Sequence, residues 1–390
     1  MEITALQFEN FCKPLKEPKW FKSYRKSYFN KIKSSLMPNP KYGLTIKLDP
    51  KFDFNIAPKP ETHLPKITYD KNSNVKIYSG NAMPDTKDVK PFLSKEWEEN
   101  NKVFNFNQAF INDIILIHIP KSTKLKKPIQ IDYNLKDSPT ISLVCILAES
   151  NSEAQILLSK HSNKNNQSYI ADDIRIITFP NSKIDFVTIQ NISKDAINFQ
   201  RRNAISKKDS IVNWIDVCLG TKYTKSDVIS NLIEEGATSN NKVLFFGSSD
   251  QQFDVYTASI HKSPNTYSDI ITKGVLNENS KALSRGLVKI EKNASGSNGY
   301  ETQDVLLLSE QAEADAIPNL EILNNDVKCS HGSTVGQIDK DKLFYLMSRG
   351  LSEKDAKEKI VEGYFTPILD LFSDNTLKEK IHKSLTEAMQ

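Results

Sequence analysis

The densest group of residues able to bind a metal ion lies late in the 390-residue chain, at residues 326–336. Cys329 and His331 stand two positions apart there, so an extended backbone would place both side chains on one face of a strand. A thiolate and an imidazole together suit a soft or borderline transition metal. Two ligands cannot close a tetrahedral site, which needs four. The pair therefore predicts either half of a site that another chain or distant residues complete, or a buried thiol beside a structural histidine.

The other cysteines and histidines give no second metal motif. Cys12, Cys145 and Cys218 are far apart, and no CxxC spacing occurs, which argues against a closed zinc knuckle. Scattered cysteines are typical of reduced thiols in an intracellular protein. Cys145 and Cys218 stand in or beside apolar runs, so we expect both in the core. His118, in an apolar run, and His261, in a turn-like stretch, favour structural roles over metal binding.

Missing motifs and the charge pattern argue against several functional classes. The chain has neither a G-x-x-x-x-G-K-[ST] loop nor a G-x-G-x-x-G turn, so we expect this chain to bind no nucleotide. Its 52 basic and 48 acidic residues are intermixed without a basic block, which argues against nucleic-acid binding. The N-terminus lacks a signal-peptide pattern, and no apolar run approaches the roughly 20 residues of a membrane span. These observations favour a cytoplasmic protein without membrane contact.

Short β-type runs dominate the middle of the chain. Residues 114–117, 141–144 and 184–189 are examples, rich in Ile and Val and bounded by Asn, Ser, Lys, Asp or Gly. Such strands with little helical signal between them favour either a large sandwich or barrel, or a β-solenoid with stacked coils. No fixed sequence period is visible, so we expect any solenoid to be irregular.

Helical patterns flank the β body, and they divide the chain into residues 1–110, 111–327 and 328–390. Trp20 and Tyr28 belong to an amphipathic helix pattern in the first part, which is otherwise irregular and rich in proline. The last part contains the end of the core and three short amphipathic helices. These helices could be a packed cap or a docking module for a partner.

Local signals define the C-terminal helices. Asp339 is a predicted N-cap, and Gly350 follows the last residue of that helix. Ser352 and Asp355 resemble a capping box with Asp in place of the usual Glu. Pro367 is expected to limit or kink the second helix.

Six segments between residues 303 and 365 carry a specific resemblance. They are Leu-Leu-Leu-Ser at 306–309, Ala-Glu-Ala-Asp at 312–315, Pro-Asn-Leu-Glu-Ile at 318–322, Asp-Val-Lys-Cys-Ser-His-Gly at 326–332, Thr-Val-Gly-Gln-Ile-Asp at 334–339 and Leu-Phe-Tyr-Leu-Met-Ser-Arg-Gly at 343–350. This stretch resembles the SufB/SufD family of iron–sulfur cluster assembly proteins, and the Cys-Ser-His-Gly form is most similar to SufD. The first 100 residues match the family poorly, so the resemblance implies nothing about their function.

The resemblance implies a fold and a set of partners. The expected fold is mainly β, a right-handed parallel β-helix core flanked by helical N- and C-terminal segments. The expected partners are a SufB-like subunit, which pairs through the β-helices, and a SufC-like ABC-type ATPase, which binds the C-terminal helices. ATPase activity would belong to the SufC-like partner, and this chain would be a non-catalytic scaffold subunit.

The resemblance also implies roles for individual residues. His331 matches the SufD histidine that faces SufB, and Cys329 stands beside it as a second candidate ligand. Both would contact transient iron or a nascent iron–sulfur cluster shared with the partner. The SufC-docking segment would include Phe344, Tyr345, Arg349 and Gly350.

Two alternative functions remain open from the sequence. One is a homodimeric β-helix binding module without metal, and self-association is also conceivable for a SufD-like chain when SufB is absent. The other is a carbohydrate-active β-helix enzyme, although the absence of a signal-peptide pattern argues against it.

Overall fold

Two nine-stranded sheets form the body of the protein in its computed structural model. The structure describes residues 4–38, 59–60, 64–84, 87–136, 138–162, 169–370 and 375–389. The α-helices of these ranges are α1 (Ala5–Cys12), α2 (Lys19–Ile32), α3 (Lys102–Ala109), α4 (Lys340–Ser348), α5 (Glu353–Leu369) and α6 (Asn375–Met389). Short 3-10 helices cover Lys87–Leu93 and Lys95–Trp97.

The strands follow one another with few interruptions. In chain order they are β1 (Lys66–Thr68), β2 (Lys76–Gly80), β3 (Asp113–Ile119), β4 (Ile129–Leu135), β5 (Thr140–Ala148), β6 (Glu153–Ser162), β7 (Tyr169–Thr178), β8 (Lys183–Ile192), β9 (Ile197–Ser206), β10 (Ile211–Gly220), β11 (Tyr223–Leu232), β12 (Thr238–Gly247), β13 (Gln252–His261), β14 (Tyr267–Leu276), β15 (Lys281–Ile290), β16 (Asn298–Leu307), β17 (Glu313–Ile322) and β18 (Lys328–Gln337).

The chain alternates between the two sheets, so the body is a parallel β-solenoid of about eight turns. One sheet has the order β1-β4-β6-β8-β10-β12-β14-β16-β18, and we call it the even sheet because all its strands except β1 have even numbers. The other has the order β17-β15-β13-β11-β9-β7-β5-β3-β2, and we call it the odd sheet because all its strands except β2 have odd numbers. From β3 and β4 onward, all neighbouring strands are parallel, whereas β1 and β2 pair antiparallel at the N-terminal edges. This confirms the expected mainly β solenoid flanked by helices. The sandwich or barrel alternative is wrong.

The coils differ in length, which explains why no sequence period is visible. Tyr223 pairs with Ile197, 26 positions earlier, whereas Lys281 contacts Glu313, 32 positions later. Every strand from β6 to β18 has 10 residues, so the variation in coil length lies in the turns.

Turns along one side of the solenoid repeat the same backbone conformation. Asn151, Asn181, Asp209 and Asn265 all have positive φ there, which Asn and Asp tolerate better than most residues. The backbone N–H of each donates to a carbonyl of the next coil, as in the 3.0 Å bond from Asn181 to Lys208. These bonds extend the register of the strands into the turns.

Three apolar clusters hold the architecture together. The first fills the solenoid interior, where Phe186 packs on Trp214. The second lies between the odd sheet and the N-terminal helices, and it includes Phe21. The third joins the even sheet to α5 and α6 through residues such as Phe365 and Ile381. The outer faces of both sheets are therefore covered by helices over part of their length.

The helical predictions are largely confirmed. Asp339 accepts bonds from the N–H groups of Asp341 and Lys342 at 3.0 and 3.1 Å, as an N-cap does. Ser352 accepts the N–H of Asp355 at 3.1 Å, but the Asp355 carboxylate accepts the Ser352 hydroxyl rather than its backbone N–H. Only half of the expected capping box is present.

The C-terminal part of the chain matches the three expected helices. Pro367 lies inside α5, which ends two residues later at Leu369. Among the helices of the described ranges, none has an apolar stretch of membrane-spanning length. β18 begins at Lys328, so the last strand of the core belongs to the third predicted part. The division into residues 1–110, 111–327 and 328–390 stays a prediction.

Candidate functional site at the open end of the solenoid

Cys329 and His331 lie on β18, the last strand of the even sheet. Cys329 pairs in register with Gly299, and His331 pairs with Glu301. Paired residues of parallel strands direct their side chains to the same face. Gly299 and Glu301 are buried and face the interior, so Cys329 and His331 face the interior side of the last coil. Their spacing of two therefore places both on one face, as an extended backbone requires.

Cys329 packs at the edge of the interior. It contacts a small apolar cluster formed by Ile270, Val288, Ile290 and Ala294. Burial raises the pKa of the Cys329 thiol, and the backbone N–H of Gly299 offsets part of this effect. Because the thiolate is the form that binds metal, any metal binding at Cys329 would release a proton.

His331 lies at the uncovered end of the same face. Its side chain is exposed, and no hydrogen bond joins its ring to a residue of the described ranges. Gly332 follows it with open space where a side chain would begin. Within the described part of the chain, no three His, Cys, Asp or Glu residues are already gathered as a metal site. The imidazole is thus accessible, and the described residues place no third potential ligand beside the Cys–His pair.

The last coil leaves apolar inward-facing residues exposed. Ile322 on β17 and Val335 on β18 are 37% and 42% exposed. Their register partners Ile290 and Val305 in the preceding coil are buried. Solenoids ordinarily end in a capping repeat with a polar outer face, and an unpaired strand edge can pair with another chain. The C-terminal end of this solenoid has the properties of an interface.

The remaining cysteines have structural positions. Cys145 lies under the N-terminal helices and Cys218 in the solenoid interior, and both are buried. Burial is the main cause that raises the pKa of each thiol above its ordinary value. These thiols are protonated at neutral pH and inaccessible, which agrees with the core role expected for them.

His118 and His261 are also held by neighbouring groups. His118 Nε2 lies 2.8 Å from a carboxylate oxygen of Glu149. His261 is fully buried, and its two ring nitrogens each lie 2.8 Å from the hydroxyl of Thr266 or Ser268. Burial lowers the pKa of His261 to about 4, so its ring is neutral at physiological pH. Both environments fit the structural roles expected from the sequence.

The residues expected to dock an ATPase lie on or next to α4. This helix has no buried residue, and Phe344 and Tyr345 are 72% and 61% exposed. Arg349 is exposed at the C-cap, and Gly350 has φ of 96°, a conformation that favours glycine. A groove between α4, α5 and the solenoid end is lined on the α4 side by Phe344 and Leu343. The helix therefore presents an aromatic surface with nothing from the described residues over it.

Glu301 is a buried carboxylate on the strand next to β18, in register with His331. Its side chain is 2% exposed in the solenoid interior, and its Oε1 accepts the side-chain amide of Gln303. Burial raises the pKa of this carboxyl to about 7. A Cβ at Gly286 would meet Glu301 Oε1 at 1.6 Å, so glycine there makes room for the carboxylate. Only the strand register reveals that Glu301 neighbours His331, because 30 residues separate them in sequence.

Comparison with known proteins places the chain in a family. Residues 133–364 match a family model described as the SufBD core domain of SUF system FeS cluster assembly. An iron-sulfur cluster assembly SufBD family protein of Staphylococcus epidermidis is 28% identical over 274 residues, which cover 69% of this chain and 58% of the relative. The iron-sulfur cluster assembly protein SufD of Bacillus subtilis is 27% identical over 287 residues, which cover 73% of this chain and 66% of the relative.

The match covers different fractions of this chain and of its relatives. The matched regions span less than two thirds of the length of these relatives. The family model nevertheless covers more than half of this chain, including the solenoid from β5 onward, Cys329 and His331. The chain belongs to the SufBD family of iron–sulfur cluster assembly proteins.

Proposed function

We propose that this chain is a SufD-like scaffold subunit that presents iron or a nascent iron–sulfur cluster at the open end of its solenoid. The observation that carries the proposal is the position of Cys329 and His331. Both face the interior side of a last coil that no described residue covers. A second chain placed against this end could supply the ligands that the pair lacks.

The chemistry of the pair suits iron as a cargo rather than as a resident cofactor. A thiolate and an imidazole bind iron readily, but two donors leave most coordination positions open. An incomplete site binds weakly by itself and strongly when a partner completes it. Cluster assembly requires strong binding while the partner completes the site, and cluster release requires weak binding once the site is incomplete again.

A SufB-like subunit is the proposed partner at the solenoid end. The exposed edge of β18 offers backbone groups for strand pairing, and Ile322 and Val335 offer apolar surface. The same surface would allow two copies of this chain to associate when the SufB-like partner is absent.

A SufC-like ABC-type ATPase is the proposed partner of α4. Exposed aromatic residues are unusual on a free surface and frequent at the centre of protein interfaces. Phe344 and Tyr345 are the proposed anchors, next to Arg349 and Gly350 at the end of the helix. The ATPase activity would belong to that partner, and this chain would be non-catalytic.

The proposal is tested by reconstituting the chain with its SufB-like and SufC-like partners under anaerobic conditions. His331→Ala should leave complex formation intact on gel filtration but lower the bound iron and sulfide severalfold. His382→Ala is the matched control, because His382 on α6 is also exposed and is remote in sequence from the pair. If the His331→Ala complex loads iron and sulfide like wild type, the assignment of the site is wrong.

A further inference from the structure

The solvent-facing side of α2 carries a row of lysines that we call the lysine stripe. Its members are Lys19, Lys22, Lys26 and the C-cap residue Lys33, and all four are exposed. They stand three, four and seven residues apart, so the 3.6-residue period of a helix places them on one face. The stripe extends about 21 Å along the helix axis. Aromatic residues separate these lysines in the sequence, and only the helix gathers them.

Packing of the opposite side of α2 directs the stripe toward solvent. Phe21 and Tyr28 are buried in the apolar cluster between the N-terminal helices and the odd sheet. Arg25 is also fully buried, and it forms an ion pair with Glu17 at 2.6 Å. Glu17 is the only acidic residue between positions 13 and 33, and this pairing neutralises it. No local carboxylate therefore offsets the charge of the stripe.

The stripe lacks the charge compensation that another helix of the protein has. Within the described ranges, no carboxylate lies within ion-pair distance of Lys19, Lys22 or Lys26, and α2 contains no acidic residue. On α5, by contrast, Lys359 lies 2.7 Å from Glu362. Like charges three or four positions apart destabilise a helix, and positive charges in its first turn oppose the helix dipole. An external anion would relieve this unfavourable arrangement.

The composition of the exposed surface indicates the class of partner. Every exposed residue of α2 is a lysine, a serine or an asparagine. Lipid surfaces bind amphipathic helices through apolar side chains, and single-stranded nucleic acids stack on aromatic ones. The exposed side of α2 offers neither kind. Lysine, serine and asparagine supply positive charge and hydrogen-bond donors, which suit carboxylates.

We propose that the lysine stripe docks an acidic surface of a partner protein. This surface lies on α2, whereas the proposed SufB-like and SufC-like contacts involve β18 and α4. The inference therefore goes beyond the proposed function and does not depend on it. Exposed charges of this kind accelerate association and select the partner, and salt screens them.

The docking surface is tested by fluorescence anisotropy of the full chain with fluorescein-labelled poly-L-glutamate as the acidic probe. Wild type should bind the probe, and its affinity should fall as the salt concentration rises. The triple variant Lys19→Gln, Lys22→Gln, Lys26→Gln should bind about tenfold more weakly, because three exposed charge pairs are lost. Failure of wild type to bind, or equal affinities of the two proteins, overturns the proposal.

A matched triple variant separates the stripe from the net charge of the chain. Lys354→Gln, Lys359→Gln and Lys383→Gln remove the same charge from exposed positions on α5 and α6. This variant should bind the probe with wild-type affinity. Equal weakening by the two triple variants would show that only net charge matters, and it overturns the proposal.

A measurement on wild type covers the case in which the stripe variant does not fold. The probe should slow acetylation of Lys19, Lys22 and Lys26 by a small acylating reagent, as measured by mass spectrometry. Acetylation of Lys383 should keep its rate. Equal rates with and without the probe at the stripe lysines overturn the docking surface.

Two other polyanions test the class of partner. Poly(U) RNA and phosphatidylserine vesicles are titrated at the same concentration of negative charge as the polyglutamate. Vesicles are included because Leu36, four residues after the end of α2, is 83% exposed. If either polyanion binds more tightly than polyglutamate and the stripe variant weakens that binding, the stripe belongs to nucleic acid or lipid and the protein partner is wrong.

Discussion

Single residues in the solenoid interior show that its core is not purely apolar. Lys160 and Asp172 form a buried salt bridge, and Arg202 contacts Asp216 at 2.8 Å. Breaking a buried pair by removing one partner leaves an uncompensated charge, which is more costly than never having the pair. These residues therefore constrain which substitutions the interior tolerates. Lys160 and Asp172 also lie close enough to another buried ionisable group, Asp113, to act on its charge.

Asp113 should make the stability of the protein depend on pH. Burial raises the pKa of its carboxyl from 3.8 to about 7, although a hydrogen bond from Tyr133 opposes the shift. Between about pH 4 and 7 the native state keeps a proton that the unfolded state has lost, so this contribution to stability falls as pH rises. The slope is at most about 1.4 kcal/mol per pH unit.

Asp113→Asn removes this dependence, because an amide does not ionise in that range. The free energy of unfolding of the variant relative to wild type should rise between pH 4.5 and pH 7.5, measured by urea denaturation at each pH. Asp370→Asn is the control, since the Asp370 side chain is 66% exposed. A difference between Asp113→Asn and wild type that is constant with pH would contradict the shifted pKa.

At the scale of elements, constant strands and variable turns define the solenoid. The β-branched runs predicted the strands well, because residues such as Val and Ile favour a pleated, half-buried surface. The helix ends followed from local capping chemistry at Asp339 and Gly350. Such features depend on a few neighbouring residues, and the sequence therefore predicts them.

The pairing of strands from successive coils is the part of the fold that the sequence does not predict. Each coil pairs residues 26 to 32 positions apart, and turns of unequal length hide the repeat. The pairing of Glu301 with His331 depends on that register, so the carboxylate could not be recognised from spacing. The shared face of Cys329 and His331 was predictable because it requires only a spacing of two.

Two glycines in the C-terminal helical region should respond oppositely to alanine. Gly350 ends α4 with φ of 96°, where a Cβ is strained, so Gly350→Ala should destabilise the protein by about 1 kcal/mol. Gly363 lies within α5 with open space at its Cβ position, so Gly363→Ala should stabilise it by about 0.5–1 kcal/mol. Chemical denaturation of both variants measures the change in the free energy of unfolding. Changes of the same sign in the two variants would contradict this explanation.

At the scale of the whole molecule, the two ends of the solenoid differ. The N-terminal edges carry the antiparallel strands β1 and β2, and the N-terminal helices cover early strands of the odd sheet. The C-terminal end exposes β17 and β18 together with their inward-facing side chains. The asymmetry leaves the C-terminal end as the end where inward-facing side chains are exposed among the described residues.

A charge at the open end should oppose association there. Val335→Lys places an ammonium on the inward-facing row of β18, so self-association of the isolated chain and binding of a SufB-like partner should both weaken about tenfold or more. Sedimentation velocity over a range of concentrations measures the first effect. Leu6→Lys on α1 is the control, because Leu6 is 66% exposed and far from β18 in sequence. Unchanged association of Val335→Lys would exclude this end as the interface.

The junction between β18 and α4 limits how independently the two can move. β18 ends at Gln337 and α4 begins at Lys340, so only two residues connect the strand of His331 to the helix of Phe344. Such a connection spans on the order of 10 Å even when fully extended. A displacement of α4 larger than this tether allows must pull on the C-terminal end of β18, while α5 and α6 stay anchored on the even sheet.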